Sequence, residues 1–293
     1  MKAGRKKRTP IAPYVFLLPN LVIFIVFIVI PAFSNFYLSL FRASPFREPE
    51  FVGLGNFIHI LTVDDLFPRA LRNLATFVVA DVGLIVVLAV LLGVLLNQGV
   101  RGKGFFRSAF FFPVLLSPVV VALVWQWILH NQFGVLNAVL AALGGEARPW
   151  LLRPNLARTW AVLVHVWATV GFFTLIILAG LQSIPGSLYE AARVDGSSRF
   201  QDFRFITLPM LSSSIATVTI LAMIRAFEIF DHVYILTGGG PGTSTMMVVQ
   251  YVYRAAFELD QFGRAAAASL VLFVIILSLT IVQYILGRRR EAI

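Results

Sequence analysis

The sequence predicts an all-α integral membrane fold with six transmembrane helices, and three observations predict it. Hydrophobic residues make up 59% of the 293 residues, charged residues only 13%, and the mean hydropathy is +0.86. A soluble chain averages about 45–50% apolar and about 25% charged residues, so this one lacks the polar groups to cover a water-facing surface. The apolar residues gather into six runs of roughly 20 or more, the length a helix needs to cross a hydrocarbon core of about 30 Å. None of the runs alternates as a membrane β-barrel strand does. In lipid the backbone must satisfy its own hydrogen bonds, so each run is read as a helix.

The expected spans are 15–41, 74–96, 105–129, 159–181, 209–230 and 265–286. The first follows a basic leader with Lys2, Arg5, Lys6, Lys7 and Arg8. Its apolar run exceeds a signal-peptide core and no A-x-A-like site follows it cleanly, so it is read as an uncleaved anchor behind a basic tail at 1–14. The rest, 15–293, is expected to form one transmembrane domain.

Orientation follows from Lys and Arg density. The tail, Arg101, Lys103 and Arg107, then Arg193, Arg199 and Arg204, then Arg288, Arg289 and Arg290 form the denser set. The other connections, with Arg42, Arg47, Arg69, Arg72, Arg148, Arg153, Arg158, Arg254 and Arg264, are longer and sparser. Both termini and a loop at 182–208 are therefore expected to face the cytosol. The net charge of +10 does not point to nucleic acid, because the basic residues sit in short clusters between apolar runs rather than on one face. With no cysteine there is no disulfide, thiolate nucleophile or Cys-based metal site.

The loop is the most informative segment. Ser187 with Glu190 forms a capping-box pattern that starts a short helix, and Gly196 is a natural stop for it. Ser198 with Gln201 forms a second box, whose helix is expected to run toward Thr207. Pro209 then sits near the first turn of the fifth span, where a missing N–H is harmless. The first helix, with Leu188, Ala191, Ala192 and Val194 among Glu190, Arg193 and Asp195, is too short to stand alone in water. It needs a surface, either the chain's own face or a partner's groove.

Glu190-Ala191-Ala192, then Asp195 and Gly196, then Ile206 and Leu208-Pro209 resemble the EAA signature of permease subunits in binding-protein-dependent ABC importers. Phe230-Asp231, the stretch Leu236, Thr237, Gly238 to Gly240, Pro241 and Gly242, then Tyr251, Ala255 and Phe257 resemble the sugar-type permeases of the maltose and glycerol-phosphate kind. Pro13-Tyr14, Pro19-Asn20 and Gly53-Leu54-Gly55-Asn56-Phe57 extend the resemblance over most of the chain, and it is that of the six-span F-type member of a permease pair. Ser212 departs from the pattern, since many relatives carry a second proline there; it should only alter the bend entering the fifth span.

The resemblance implies a type I ABC importer permease fold in a bacterial or archaeal cytoplasmic membrane, surrounded by lipid. It also implies a G-type permease partner, two ATP-binding-cassette subunits and an extracytoplasmic solute-binding protein. Glu190, Ala191, Ala192, Asp195, Gly196, Leu208 and Pro209 would couple to the ATPase, and this chain would be a transport subunit rather than an enzyme. It has no G-x-x-x-x-G-K-[ST], so ATP and Mg are expected on the partner ATPase and no cofactor on this chain. The glycines at Gly238, Gly239 and Gly240 lack the Lys-Ser/Thr that a P-loop needs and are read as a flexible turn.

Ionisable groups inside a span default to functional hypotheses. His165 and Arg225 reach similar depth in the outer half of the fourth and fifth spans at about 1.5 Å per residue. Thr169 and Phe172 share a helix face with His165, and with Arg225 and Glu228 these residues are the candidate solute path, a lining suited to a sugar-like solute. Plainer readings stand beside this one. Arg225 and Glu228 are three apart and neutralise each other, or His165 hydrogen-bonds a neighbouring helix. Asp81 pairs with a basic group on the permease partner, while Asp231 caps a helix end. Trp125 and Trp127 fit an interfacial belt. A self-sufficient carrier would show paired intramembrane carboxylates or broken helices in both halves, whereas the third span carries prolines, Pro113 and Pro118, with no second-half counterpart of that kind. A membrane enzyme finds no support, because His59, His130, His165 and His232 follow no metal spacing.

Overall fold

A computed structural model describes residues 12–98 and 102–291. Lys2, Arg5, Lys6, Lys7 and Arg8 of the basic tail, and Arg101, lie outside the described residues. The chain opens on α1 (Ala12–Phe24) and α2 (Ile30–Ser39), joined by a π turn at Ile25–Val29. Pro31, at the start of α2, cannot donate to the carbonyl four residues back, and the wider turn accommodates that missing bond. The described core contacts of this rod are confined mainly to α2, which packs on the last helix, α15 (Phe262–Glu291).

A two-stranded antiparallel hairpin, β1 (Phe41–Ser44) and β2 (Arg47–Phe51), follows, so the described residues are not purely helical. It is capped by α3 (Gly55–Ile58), whose Asn56 amide donates to the carbonyls of Ser39 and Phe41 at 2.8 and 2.9 Å. Tyr251 donates its hydroxyl to Asp64 at 2.6 Å, tying the connection after α3 to α14 (Val248–Tyr253). Burial, and then the bond to the Asp64 carboxylate, push the Tyr251 phenol well above its usual range.

The core is built on α4 (Leu66–Asn97) and α8 (Pro154–Gln182). The two run parallel: Phe77 and Asp81 meet His165, and twelve residues further along Gly93 meets Ile177. Apolar faces of α12 (Ser212–Phe227), α14 and α15 complete the cluster through Val218, Ala222, Val248, Ala267 and their neighbours. In lipid these faces are held by close packing rather than by a hydrophobic driving force, since acyl chains are as apolar as the side chains they would replace.

Two expected spans are broken. Instead of one helix over 105–129, α5 (Lys103–Phe111) leads through a 3₁₀ turn at Phe112–Leu115 into α6 (Pro118–Ile128), with axes 106° apart. Ser117 is extended because the ring of Pro118 excludes the helical conformation from the residue before it. The end of α5 also presses on α8 so closely that a Cβ on Gly171 would collide with the Phe110 carbonyl. The fifth span is likewise bent by 64°, between the segment Arg199–Met210 and α12. Pro209 lies at the start of α11 (Leu208–Met210), just before the bend at Leu211 that leads into α12. Among the described residues four helices are long and apolar enough to cross a membrane, or six if each bent pair is one span.

Beyond α6 come α7 (Val135–Ala142) and a Trp cluster: Trp125 packs on Trp160 and Trp167, each with ring centroids 5.6 Å apart. Trp125 is thus part of the packing, while Trp127 is 56% exposed. After α12, α13 (Asp231–Thr237) packs on α6 and α8, with Asp231 in its first turn. The Gly238–Gly242 stretch expected to be flexible is a hydrogen-bonded turn, closed by Thr245 to Thr237 and to the Gly240 carbonyl. Asn73 of α4 pins it by donating to the carbonyls of Thr243 and Met246 at 2.8 and 3.1 Å.

Candidate functional site

Three groups of residues stand out, and the first is the loop before the fifth span. The short helix α9 (Gly186–Val194) buries none of its residues on the chain itself. Glu190, Ala191 and Asp195 are exposed, Ala192 is half-buried, and Val194 projects with 88% of its surface free. The helix begins at Pro185, earlier than expected, and makes no side-chain cap. Ser187 falls inside the first turn, so the Ser187–Glu190 box does not form.

The far end follows the expectation from Gly196. That glycine takes φ +79°, its N–H donates to the Arg193 carbonyl at 3.1 Å, and Ser197 donates to Ala192 at 2.9 Å. This is the Schellman pattern, which satisfies the last carbonyls and reverses the chain. The second box forms in full: the Ser198 N–H donates to Gln201 Oε1 at 2.7 Å and the Gln201 N–H to Ser198 Oγ at 3.4 Å. Its helix α10 (Arg199–Gln201) passes into a π turn at Asp202–Thr207 and then into α11, where Leu208 is half-buried and Pro209 exposed.

Two cross-links hold α9 to this second segment. Tyr189 and Thr207 share a hydrogen bond of 2.9 Å between hydroxyls, and Ser197 donates to the Asp202 carboxylate. Tyr189 and Thr207 carry no signal in the sequence, because the pair is 18 residues apart and crosses both turns. They tie α9 to the end of the π turn, which leads through α11 toward α12.

The second group is Arg225 with Phe172. The guanidinium lies 4.4 Å from the Phe172 ring centroid and 5.8 Å from that of Phe173. Arg225 and Glu228 are both exposed and do not form an ion pair within 4.0 Å. The positive charge is instead offset by the aromatic faces and by the C-terminal turn of α12.

The third group was only partly legible. His165 is 4% exposed and Asp81 0%, and His165 Nδ1 lies 2.7 Å from Asp81 Oδ1. Asp81 thus finds its partner inside this chain, across α4 and α8, rather than on another subunit. Phe77 and His232 flank the His165 ring, with centroids 5.7 and 5.3 Å away. Thr169 donates to the His165 carbonyl at 2.8 Å. His165 therefore points into the helix packing, behind the exposed face that carries Arg225 and Phe172. Among the described residues no group of three or more His, Cys, Asp or Glu is arranged to hold a metal ion.

Residues 85–292 match the family described as "Binding-protein-dependent transport system inner membrane component". The chain is 36% identical over 279 residues to the trehalose/maltose transport system permease protein MalF of Thermococcus litoralis, covering 95% of this chain and 94% of the relative. It is 36% identical over 278 residues to the probable ABC transporter permease protein YurN of Bacillus subtilis, covering 93% and 94%. The diacetylchitobiose uptake system permease protein NgcF of Streptomyces coelicolor is 33% identical, with 92% and 80% covered. Among solved structures, a chain of a bacterial alginate ABC transporter in complex with an alginate pentasaccharide-bound periplasmic protein superimposes with a TM-score of 0.85, 25% identity and 95% and 94% coverage.

Proposed function

This chain belongs to the inner membrane components of binding-protein-dependent transport systems, and from that premise we propose that it forms half of the path for a sugar or related polar solute in an ATP-driven importer. Its fold is that of the type I importer permeases. The relatives named for trehalose and maltose or diacetylchitobiose uptake, and the neighbour named for alginate, support a saccharide as solute. The other half of the path is a G-type permease, and an extracytoplasmic binding protein delivers the solute. Two ATPase subunits bind ATP and Mg and hydrolyse the ATP; this chain is a transport subunit. Lys and Arg density supports cytoplasmic termini and a cytoplasmic α9.

The observation that carries this reading is α9 itself. It is a helix with no buried residue, exposing Ala191 and Val194, yet fixed at its end by Gly196 and braced through Tyr189 to Thr207. An apolar-edged helix left free on its own chain is suited to a cleft on a partner, and its bracing carries displacement into α12. Glu190 is exposed and free to pair with a basic side chain of the ATPase. On the path side, Arg225 and Phe172 offer a cation and a ring edge, with Thr169 one turn away.

One experiment with two arms tests the reading, using the reconstituted importer with its binding protein and measuring uptake together with ATP hydrolysis. Gly196→Asp places a side chain at φ +79° and should abolish uptake and its coupling to hydrolysis while the chain still inserts. Arg225→Ala with Phe172→Ala should lower uptake about tenfold while the ATPase still responds to the loaded binding protein. Normal uptake by the first variant would refute coupling through α9, and normal uptake by the second would remove both residues from the path.

A further inference from the structure

Toward the ends at which α4 and α8 begin lies a groove of about 320 Å³ that the transport reading does not use. Its two walls differ along their length. Asn73, Thr76, Arg158, Thr159 and Ser244 line the upper part, and Phe77, Ala80, Leu84, Val162 and Leu163 the lower part. No acidic residue lines it.

Helix length sets the depth of each part. At about 1.5 Å per residue, α4 is about 48 Å long and α8 about 44 Å, so both overrun a hydrocarbon core of about 30 Å. Arg158 is the fifth residue of α8, about 6 Å from its start, and a helix of this length centred on such a core overhangs it by about 7 Å at each end. From Asn73 to Leu84 the groove descends about 16 Å along α4, close to the depth of one leaflet.

Arg158 is held in place without being neutralised. Its Nε donates to the Ser244 carbonyl at 3.1 Å, and it forms no ion pair within 4.0 Å among the described residues. Both terminal nitrogens remain available on an exposed side chain. The Ser244 hydroxyl in the same wall is buried and lacks a hydrogen-bond partner. Thus a fixed guanidinium and an unfilled hydroxyl stand above an apolar slot. Leu163 precedes Phe172 by nine residues, half a turn around α8, so the groove opens on the side away from Arg225.

We propose that this groove binds an anionic phospholipid, with the phosphodiester on Arg158 and one acyl chain laid against Phe77, Ala80, Leu84 and Leu163. A guanidinium fork matches a phosphate in two parallel hydrogen bonds, whereas a zwitterionic headgroup brings its own cation to the site. The proposal rests on the membrane reading of the chain but not on solute transport, and lipid retention is measured with no solute present, so the two fail separately.

The test uses the intact importer purified into nanodiscs of mixed phosphatidylcholine and phosphatidylglycerol, with retained lipid counted by native mass spectrometry. The wild type should retain phosphatidylglycerol in preference to phosphatidylcholine. Arg158→Gln should lower that retention about tenfold, the weight of one charge-assisted contact, and Arg158→Lys should restore part of it. Leu163→Trp should displace the chain with Arg158 intact, and inorganic phosphate should not compete. Equal retention in wild type and Arg158→Gln would overturn the proposal. So would cross-linking of a cysteine placed at Leu84 to the permease partner, because the groove would then be filled by protein.

Discussion

Asp81 is the most exacting position in the molecule, because it is fully buried in a span and depends on one side chain. Its contact with His165 is 2.7 Å, and its second oxygen has no hydrogen-bond partner. That one close polar contact is what lets a carboxyl tolerate this depth. Removing one member of a buried pair leaves the other uncompensated, at about 3–5 kcal/mol. Hydrogen bonds between membrane helices are weaker on average, about 0.6 kcal/mol and at most about 1.7 by double-mutant cycles, because the unfolded chain in lipid finds other partners.

The two scales separate the possibilities. Asp81→Ala should cost about 3 kcal/mol, near the low end of the buried-pair range, since His165 and the adjacent His232 are stranded together. Asp81→Asn keeps an acceptor of the same shape and should cost about 1–2 kcal/mol. The double-mutant cycle of Asp81→Asn with His165→Asn should return a coupling of about 1.5 kcal/mol, read from reversible detergent unfolding of the purified importer. A coupling below about 0.3 kcal/mol would show the contact to be incidental and refute the reasoning.

Two further outcomes follow from close approaches elsewhere. Gly171→Ala drives a Cβ into the Phe110 carbonyl and should cost about 1–3 kcal/mol in the same unfolding assay, while Gly83→Ala, with open space around it, should cost almost nothing. Tyr251→Phe removes the bond to Asp64 and should cost about 1–2 kcal/mol at neutral pH. Because the fold raises the Tyr251 phenol above its unfolded value of about 10, that contribution is complete below pH 10 and is lost as pH rises through the folded value. The difference between wild type and Tyr251→Phe should therefore stay constant from neutral pH to about 9; a difference that shrinks across that interval would contradict the burial of the hydroxyl.

The parts of this structure legible in the sequence are those decided within a few residues. Ser198 and Gln201 form their box because donor and acceptor lie three positions apart and nothing between them interferes. Gly196 ends α9 because its own φ permits the turn. Ser187 shows the limit: its pattern matches that of Ser198, but Pro185, two residues earlier, starts the helix and displaces the serine into it. Hydropathy locates apolar runs equally well whether the helix inside is straight or broken, since lipid requires only that the backbone bonds be satisfied. The 106° bend after Leu115 therefore leaves the apolar run of the third span intact and shows only as Pro113 and Pro118.

The candidate path divides along the same line. Spacing placed His165, Thr169 and Phe172 on one face, and by helix geometry they are close to it. What separates them is Asp81, 84 positions away, which draws His165 into the contact between α4 and α8 and leaves Phe172 to Arg225. A residue at a functional depth is thus assigned by which long-range partner claims it. Asp81 claims the histidine, and no carboxylate within ion-pair reach among the described residues claims Arg225. That difference, rather than their shared depth, leaves Arg225 open on an exposed face and sets His165 as a brace behind it.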